Sequence, residues 1–124
     1  MTFKDNNMQK IFILLIFTIL FIVSCFDSSE NIDIVKNGAF NRYPNVTIGE
    51  IADTIFTKAK YKEIIADDGN SYVNLYGYAE DDEVLIQFRI YKDSWKVHAV
   101  EVNGEPVGTM GIADELYGLY IANK

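Results

Sequence analysis

Apolar positions after Thr47 recur with the period of a helix. They fall at every third or fourth residue, which predicts a helix with one apolar stripe. Thr47 and Glu50 have the spacing of a capping box, in which each side chain accepts a hydrogen bond from the other residue's backbone amide. The helix is therefore expected to begin at Thr47 and to continue to Ala59. The apolar stripe comprises Ile48, Ile51, Ala52, Ile55, Phe56 and Ala59.

The period then changes to two, which is the alternation of a β-strand. Four strands are predicted, over residues 61–66, 71–79, 83–91 and 95–102. Their short connections, rich in Asp, Glu, Asn and Gly, are typical of antiparallel hairpins. A weaker helical pattern follows over residues 110–121. The predicted fold class is α+β: an N-terminal helix packed on a four-stranded antiparallel meander, with a short C-terminal helix.

The first 25 residues have the pattern of an export signal. Lys4 and Lys10 precede an uncharged apolar run over residues 11–23. That run is shorter than the ~20 residues of a membrane-spanning helix and has the length of a signal-peptide core. The following Ile22-Val23-Ser24-Cys25 resembles the lipobox of bacterial lipoproteins. In that family the Cys is acylated and the chain is cut just before it.

This resemblance implies a signal peptide over residues 1–24, a lipidated Cys25 with its tether over residues 25–31, and a single domain over residues 32–124. An uncleaved membrane anchor is the alternative. Both interpretations place the domain outside the cytoplasm, and the expected location is the bacterial cell envelope. The lipid on Cys25 would provide the contact with the membrane.

The predicted domain also resembles known envelope families. A Thr-capped helix followed by a meander, on a lipidated precursor, is similar to the BamE (SmpA/OmlA) family and to the related β-lactamase-inhibitor repeat. The element order is similar to cystatin-like domains as well. The predicted order departs from the BamE pattern because its second helix follows the sheet. Residues 35–77, with their VKNG, YPN and TIGE segments, resemble small uncharacterised bacterial lipoproteins, a resemblance that implies no activity.

Composition argues against several functions. The chain has 11 Lys and Arg against 18 Asp and Glu, and its net charge of −7 disfavours a nucleic-acid partner. One Cys and one His leave little material for a metal site or a triad. His98 lies within a predicted strand, with no nucleophile in hydrogen-bond reach. We therefore expect neither enzymatic activity nor a cofactor or metal.

Two groups of carboxylates, at residues 67–68 and 80–83, fall in predicted turns at opposite ends of the sheet. A strand of nine residues, roughly 30 Å long, would separate them, so they are not expected to share a ligand. We interpret them as solvated turns. The alternative is a weak cation site where residues 80–83 meet Glu101 or Glu105.

The outer face of the predicted sheet carries the candidate binding residues. If Ile86 and Phe88 face the helix, alternation turns their neighbours away from it. Tyr and Arg are enriched at protein-binding hot spots, and Tyr rings also stack on sugars. The expected function is protein binding by a non-enzymatic envelope lipoprotein, with small-solute or glycan binding as the alternative. The candidate residues, which we call the tyrosine face, are Tyr72, Asn74, Tyr76, Tyr78, Gln87, Arg89, Tyr91, Lys96 and His98.

Two structural explanations for the tyrosine face remain open. The C-terminal helix could cover it and make it a second, smaller core. Cross-strand aromatic pairs could also serve only to stabilise the sheet. The assignment of faces depends on register, because a one-residue slip of the second strand would exchange its two sides.

Overall fold

The structure, a computed structural model, describes residues 29–124. The predicted signal peptide, Cys25 and most of the predicted tether lie outside the described residues. Within them, three helices and five strands give an α+β fold, as expected. None of the helices among residues 29–124 has the length and hydropathy of a membrane-spanning segment. The elements are α1 (Glu30–Asn37), α2 (Ile48–Ile55), β1 (Thr57–Ile65), β2 (Ser71–Ala79), β3 (Asp82–Tyr91), β4 (Ser94–Val102), β5 (Glu105–Val107) and α3 (Ile112–Asn123).

The sheet is an antiparallel meander in the order β1-β2-β3-β4-β5. The prediction of four strands is wrong, because β5 adds a fifth beside β4. Asn103 and Gly104 connect these strands with φ angles of 53° and 80°, as a tight hairpin turn requires. The fifth strand gave little sequence signal because it has three exposed residues and contains Pro106, which suits a sheet edge.

Helix α2 begins with the predicted capping box. The Glu50 amide donates to the Thr47 hydroxyl at 3.0 Å, and the Thr47 amide donates to the Glu50 carboxylate at 2.9 Å. The helix ends at Ile55, earlier than Ala59, because Phe56 turns into extended backbone. The Phe56 side chain packs on Gly77 of β2, where a Cβ would lie 2.6 Å from it. Contact with the sheet therefore stops the helix although the apolar period continues.

Helix α1 was not predicted, and it begins within the segment assigned to the tether. Its N-cap is Ser29, whose hydroxyl accepts from the Ile32 amide at 3.1 Å. Ile32 and Val35 are buried in the core. With only these two buried positions, α1 has too short an apolar stripe to predict a helix from the sequence. Two helices thus precede the sheet, where the predicted order had one.

The helices all belong to one side of the sheet and share its core. Helix α3, predicted over residues 110–121, packs against α2 and buries Leu116 in the same core. We call this side of the sheet the helix side. Its buried core residues are Ile32, Val35, Phe40, Ile48, Ile51, Ala52, Ile55, Phe56, Tyr61, Val73, Leu75, Ile86, Phe88, Val100 and Leu116.

Candidate functional site

The register of the sheet places the tyrosine face opposite the helices. Val73, Leu75 and Phe88 lie in the core, so the predicted faces of β2 and β3 are confirmed. The side chains between them therefore point to the other side. Neighbouring strands bring these side chains together in rows. The rows are Ile64–Tyr72–Arg89–Lys96, Lys62–Asn74–Gln87–Ala99 and Lys60–Tyr76–Leu85–Glu101.

A bulge in β4 shifts the later part of that strand by one position. Val97 pairs with Phe88 of β3, and Ala99 pairs with the preceding Gln87. His98, between them in β4, therefore has no register partner in β3. The His98 ring lies on the tyrosine face, with its centroid 5.2 Å from that of Tyr72. Beyond the bulge, Val100 enters the core and Glu101 turns to the tyrosine face. Strict alternation along β4 would have placed Glu101 on the helix side. The bulge reverses the two faces beyond His98, so the sequence pattern did not identify Glu101 as part of the tyrosine face.

The C-terminal helix lies away from the tyrosine face. Helix α3 packs on α2, and its Tyr117 ring stacks on Tyr43 with centroids 3.9 Å apart. Its Asp114 accepts from Arg42 at 2.7 Å and from the Tyr43 hydroxyl. The alternative in which this helix turns the tyrosine face into a second core is therefore wrong. No helix of the described residues packs on that face.

The centre of the tyrosine face is a buried, hydrogen-bonded polar network. Asn74 is 0% exposed and Gln87 is 3% exposed. The Gln87 side-chain amide donates to the Asn74 oxygen at 3.0 Å, and the Asn74 amide nitrogen donates to the Tyr76 hydroxyl at 3.1 Å. Burial raises the pKa of Tyr76, the bond from Asn74 lowers it, and the charge of Glu101 raises it. This network holds three of the nine candidate side chains in one arrangement.

More exposed side chains surround this centre. Tyr78, at one end, is 40% exposed, and its hydroxyl donates to Glu83 at 3.1 Å, a bond that raises the pKa of Tyr78. Tyr91, at the other end, is 42% exposed. The Arg89 guanidinium carbon lies 4.9 Å from the Tyr91 ring centroid, and the Lys96 ammonium lies 5.8 Å from it. The two ends of the face therefore differ in charge.

The turn carboxylates are engaged in local structure. Asp68 accepts from the backbone and side-chain amides of Asn70, both at 2.9 Å. Asn103 donates to Asp82 at 3.0 Å and accepts from the Glu83 amide at 2.9 Å. In the described part of the chain, no group of three or more His, Cys, Asp or Glu is placed to hold a metal ion.

A cleft that the sequence did not predict lies at the end of the sheet. It has a volume of about 740 Å³ between the loop after α1, the β3–β4 turn and the segment before α3. The Trp95 ring forms part of its wall and packs edge-on against Phe40 and Phe88, with centroids 5.5 and 5.0 Å away. Met110, also in its lining, is 97% exposed. Three segments distant in sequence build this cleft, so no local motif could indicate it.

Comparison with protein-family models, with curated proteins and with solved structures gave no match for this chain. The chemistry available is that of the tyrosine face and the cleft themselves. The centre of the tyrosine face is buried, and its exposed groups include the Tyr78 ring at one end and the Tyr91 ring with two cations at the other. Such a surface suits non-covalent recognition.

Proposed function

We propose that the chain is a membrane-tethered lipoprotein of the bacterial cell envelope whose domain binds another protein without catalysing a reaction. The lipobox that ends at Cys25 supports the tether. The observation that carries the binding function is the tyrosine face, with its hydrogen-bonded centre and its exposed aromatic and cationic side chains. No helix of residues 29–124 packs on it.

Large exposed side chains lie at both ends of the tyrosine face. Tyr78 is 40% exposed at one end, and Tyr91 is 42% exposed at the other. The bonds among Asn74, Gln87 and Tyr76 connect β2 to β3 beneath the exposed side chains, so the strands that carry those side chains are held in one arrangement. Tyr91 and Arg89 are the types of residue that dominate protein interfaces when they become buried.

Glycan binding is less well supported than protein binding. A sugar stacks on the open face of an aromatic ring. The most exposed ring of the tyrosine face is that of Tyr91, and both Arg89 and Lys96 lie within cation–π distance of it. The Tyr72 ring is also in contact with another side chain, the tilted His98 ring. These contacts favour a partner that brings its own hydrogen-bonding and charged groups.

The protein-binding proposal is tested by site-specific photo-crosslinking in the intact cell envelope. A crosslinking side chain at Tyr91 is expected to give a discrete protein adduct. The same group at Leu119, a 39% exposed position on α3, serves as the matched control and is expected to give no such adduct. Tyr78→Ala should weaken the Tyr91 adduct. An adduct at Leu119 alone, or release of the adduct by glycosidase treatment, would contradict protein binding at this face.

A further inference from the structure

The tyrosine face and the adjoining part of β1 carry a charge opposite in sign to that of the chain. The chain as a whole has a net charge of −7. On this side of the sheet, however, cations outnumber carboxylates. The carboxylates also lie toward the end that holds Tyr78. The cations are Lys60, Lys62, Arg89 and Lys96, and the carboxylates are Glu83 and Glu101.

Two of these cations stand directly opposite each other. Arg89 in β3 and Lys96 in β4 are register partners, and like charges in that position destabilise a sheet. Both also lie over the Tyr91 ring, at 4.9 and 5.8 Å. Neither forms an ion pair with a carboxylate of the described residues. Folding thus brings two positive charges together, and no carboxylate of residues 29–124 forms an ion pair with either of them.

Hydrogen-bonding groups adjoin this pair. Tyr72 is the register partner of Arg89 on its other side, and the His98 ring lies against Tyr72. The Tyr72 hydroxyl makes no hydrogen bond within residues 29–124. We call Arg89, Tyr91 and Lys96, with the neighbouring Tyr72 and His98, the basic corner.

We propose that the basic corner binds carboxylates of an acidic segment in the protein partner. This inference rests on the proposed protein-binding function. The planar Arg89 guanidinium can donate two parallel hydrogen bonds to one carboxylate, and Lys96 supplies a second charge beside it. A carboxylate bound there also offsets the repulsion between the two cations.

A protein carboxylate fits the basic corner better than a lone phosphate does. Exposed side chains lie beside the two cations, since Tyr91 is 42% exposed and His98 is exposed as well. A single phosphate would contact only the cations. A peptide can place an acidic side chain at the cations and other side chains against Tyr91 and His98. The negative charge elsewhere on the chain disfavours acidic partners in other orientations.

The experiment uses the only histidine of the chain as a reporter. Purified full-length protein in neutral detergent is titrated with a synthetic peptide in which Glu alternates with Tyr, while the His98 imidazole signal is followed by NMR. We expect a saturable shift that weakens as salt is added. A matched peptide with Gln in place of Glu is expected to bind at least about tenfold more weakly, a difference of about 1.4 kcal/mol.

Three variants test whether binding depends on the basic corner or only on the overall positive charge of this region. Arg89→Gln and Lys96→Gln should each weaken Glu-peptide binding about tenfold, which corresponds to about 1.4 kcal/mol. Lys92→Gln removes an exposed charge in the adjacent turn and should leave binding unchanged. Because they remove the like-charge contact, the two corner variants should be at least as stable as the parent protein. Loss of binding then does not arise from unfolding.

Several results would overturn the proposal. Equal binding of the Gln peptide would exclude a role for carboxylates, and equal weakening by Lys92→Gln would exclude the specific corner. A stronger response to inorganic phosphate or to phosphatidylglycerol vesicles than to the Glu peptide would show that the anion comes from another source. If the Tyr91 crosslink persists in Arg89→Gln and Lys96→Gln, protein binding stands and the acidic partner is wrong.

Discussion

Tyr61 differs from the tyrosines of the tyrosine face because β1 turns it toward the helix side. Its hydroxyl is buried and has no hydrogen-bond partner among residues 29–124. The Lys36 ammonium lies 5.1 Å from its ring centroid. Burial, with a smaller contribution from the charge of Asp53, raises the pKa of Tyr61 to about 12. A buried hydroxyl without a partner costs about 1–3 kcal/mol of stability.

Tyr61→Phe is therefore expected to increase the free energy of unfolding by about 1 kcal/mol, since it removes the unpaired hydroxyl and keeps the ring. Urea denaturation followed by circular dichroism measures this change. Tyr78→Phe is the control, because the Tyr78 hydroxyl is bonded to Glu83 at an exposed site and should give no gain. A loss of stability in Tyr61→Phe would mean that the hydroxyl does have a partner.

The same substitution has a pH signature. The pKa of Tyr61 rises from 10.0 in the unfolded chain to about 12 in the fold, so the folded state favours the neutral phenol. The stability that this difference contributes is fully present below pH 10 and is lost as the pH rises toward 12. Tyr61→Phe should lose less stability than the parent protein across that window. Parallel alkaline curves for the two proteins would contradict the assignment.

At the scale of elements, the contact between α1 and β4 depends on a missing side chain. Gly38 follows α1, and a Cβ there would lie 2.4 Å from the indole nitrogen of Trp95 and 2.9 Å from the Ile34 carbonyl oxygen. Trp95 cannot easily retreat, because its ring packs against Phe40 and Phe88. Glycine therefore allows the loop after α1 to approach the sheet and form one wall of the cleft.

Gly38→Ala is expected to lower the free energy of unfolding by about 1–3 kcal/mol, as overpacking does. Fluorescence of Trp95, the only tryptophan in the chain, reports the transition. Gly108→Ala is the matched control, because a Cβ at Gly108 meets nothing within 4 Å and the backbone there needs no positive φ. Equal stability of the two variants would show that the loop after α1 moves away freely.

At the scale of the whole molecule, the proposed anchor limits how far the domain can move from the membrane. Helix α1 begins at Glu30, five residues after Cys25. Five residues span at most about 18 Å even when fully extended. The first turn of α1, where Asn31 donates to Glu63 of β1, would therefore stay near the lipid surface. The partner would have to be an envelope component within reach of that surface.

The anchor is tested by the intact mass of the protein extracted from membranes. We expect the mass of residues 25–124 plus acyl chains, and we expect Cys25→Ser to retain residues 1–24 and to carry no lipid. A parent protein that retains residues 1–24 would support the uncleaved anchor. That result would leave the proposed binding function of the tyrosine face untouched.

Local patterns in the sequence predicted a large part of the fold. The capping box of Thr47 and Glu50 sets the start of α2, because both partners lie within one turn. Alternation assigned the two faces of β2 and β3, because successive side chains of a strand must point to opposite sides. Those two rules account for most of the tyrosine face, including the placement of Asn74 and Gln87 on one side.

Only the tertiary structure decided the features that depend on contacts between distant segments. Phe56 leaves the helical period because it packs on Gly77, and three separated segments form the cleft. The sequence shows two cations at Arg89 and Lys96, but only the pairing of β3 with β4 places them directly opposite each other. Local chemistry therefore determined where elements begin and which way their side chains point. Long-range packing determined where α2 ends and which charges share the basic corner.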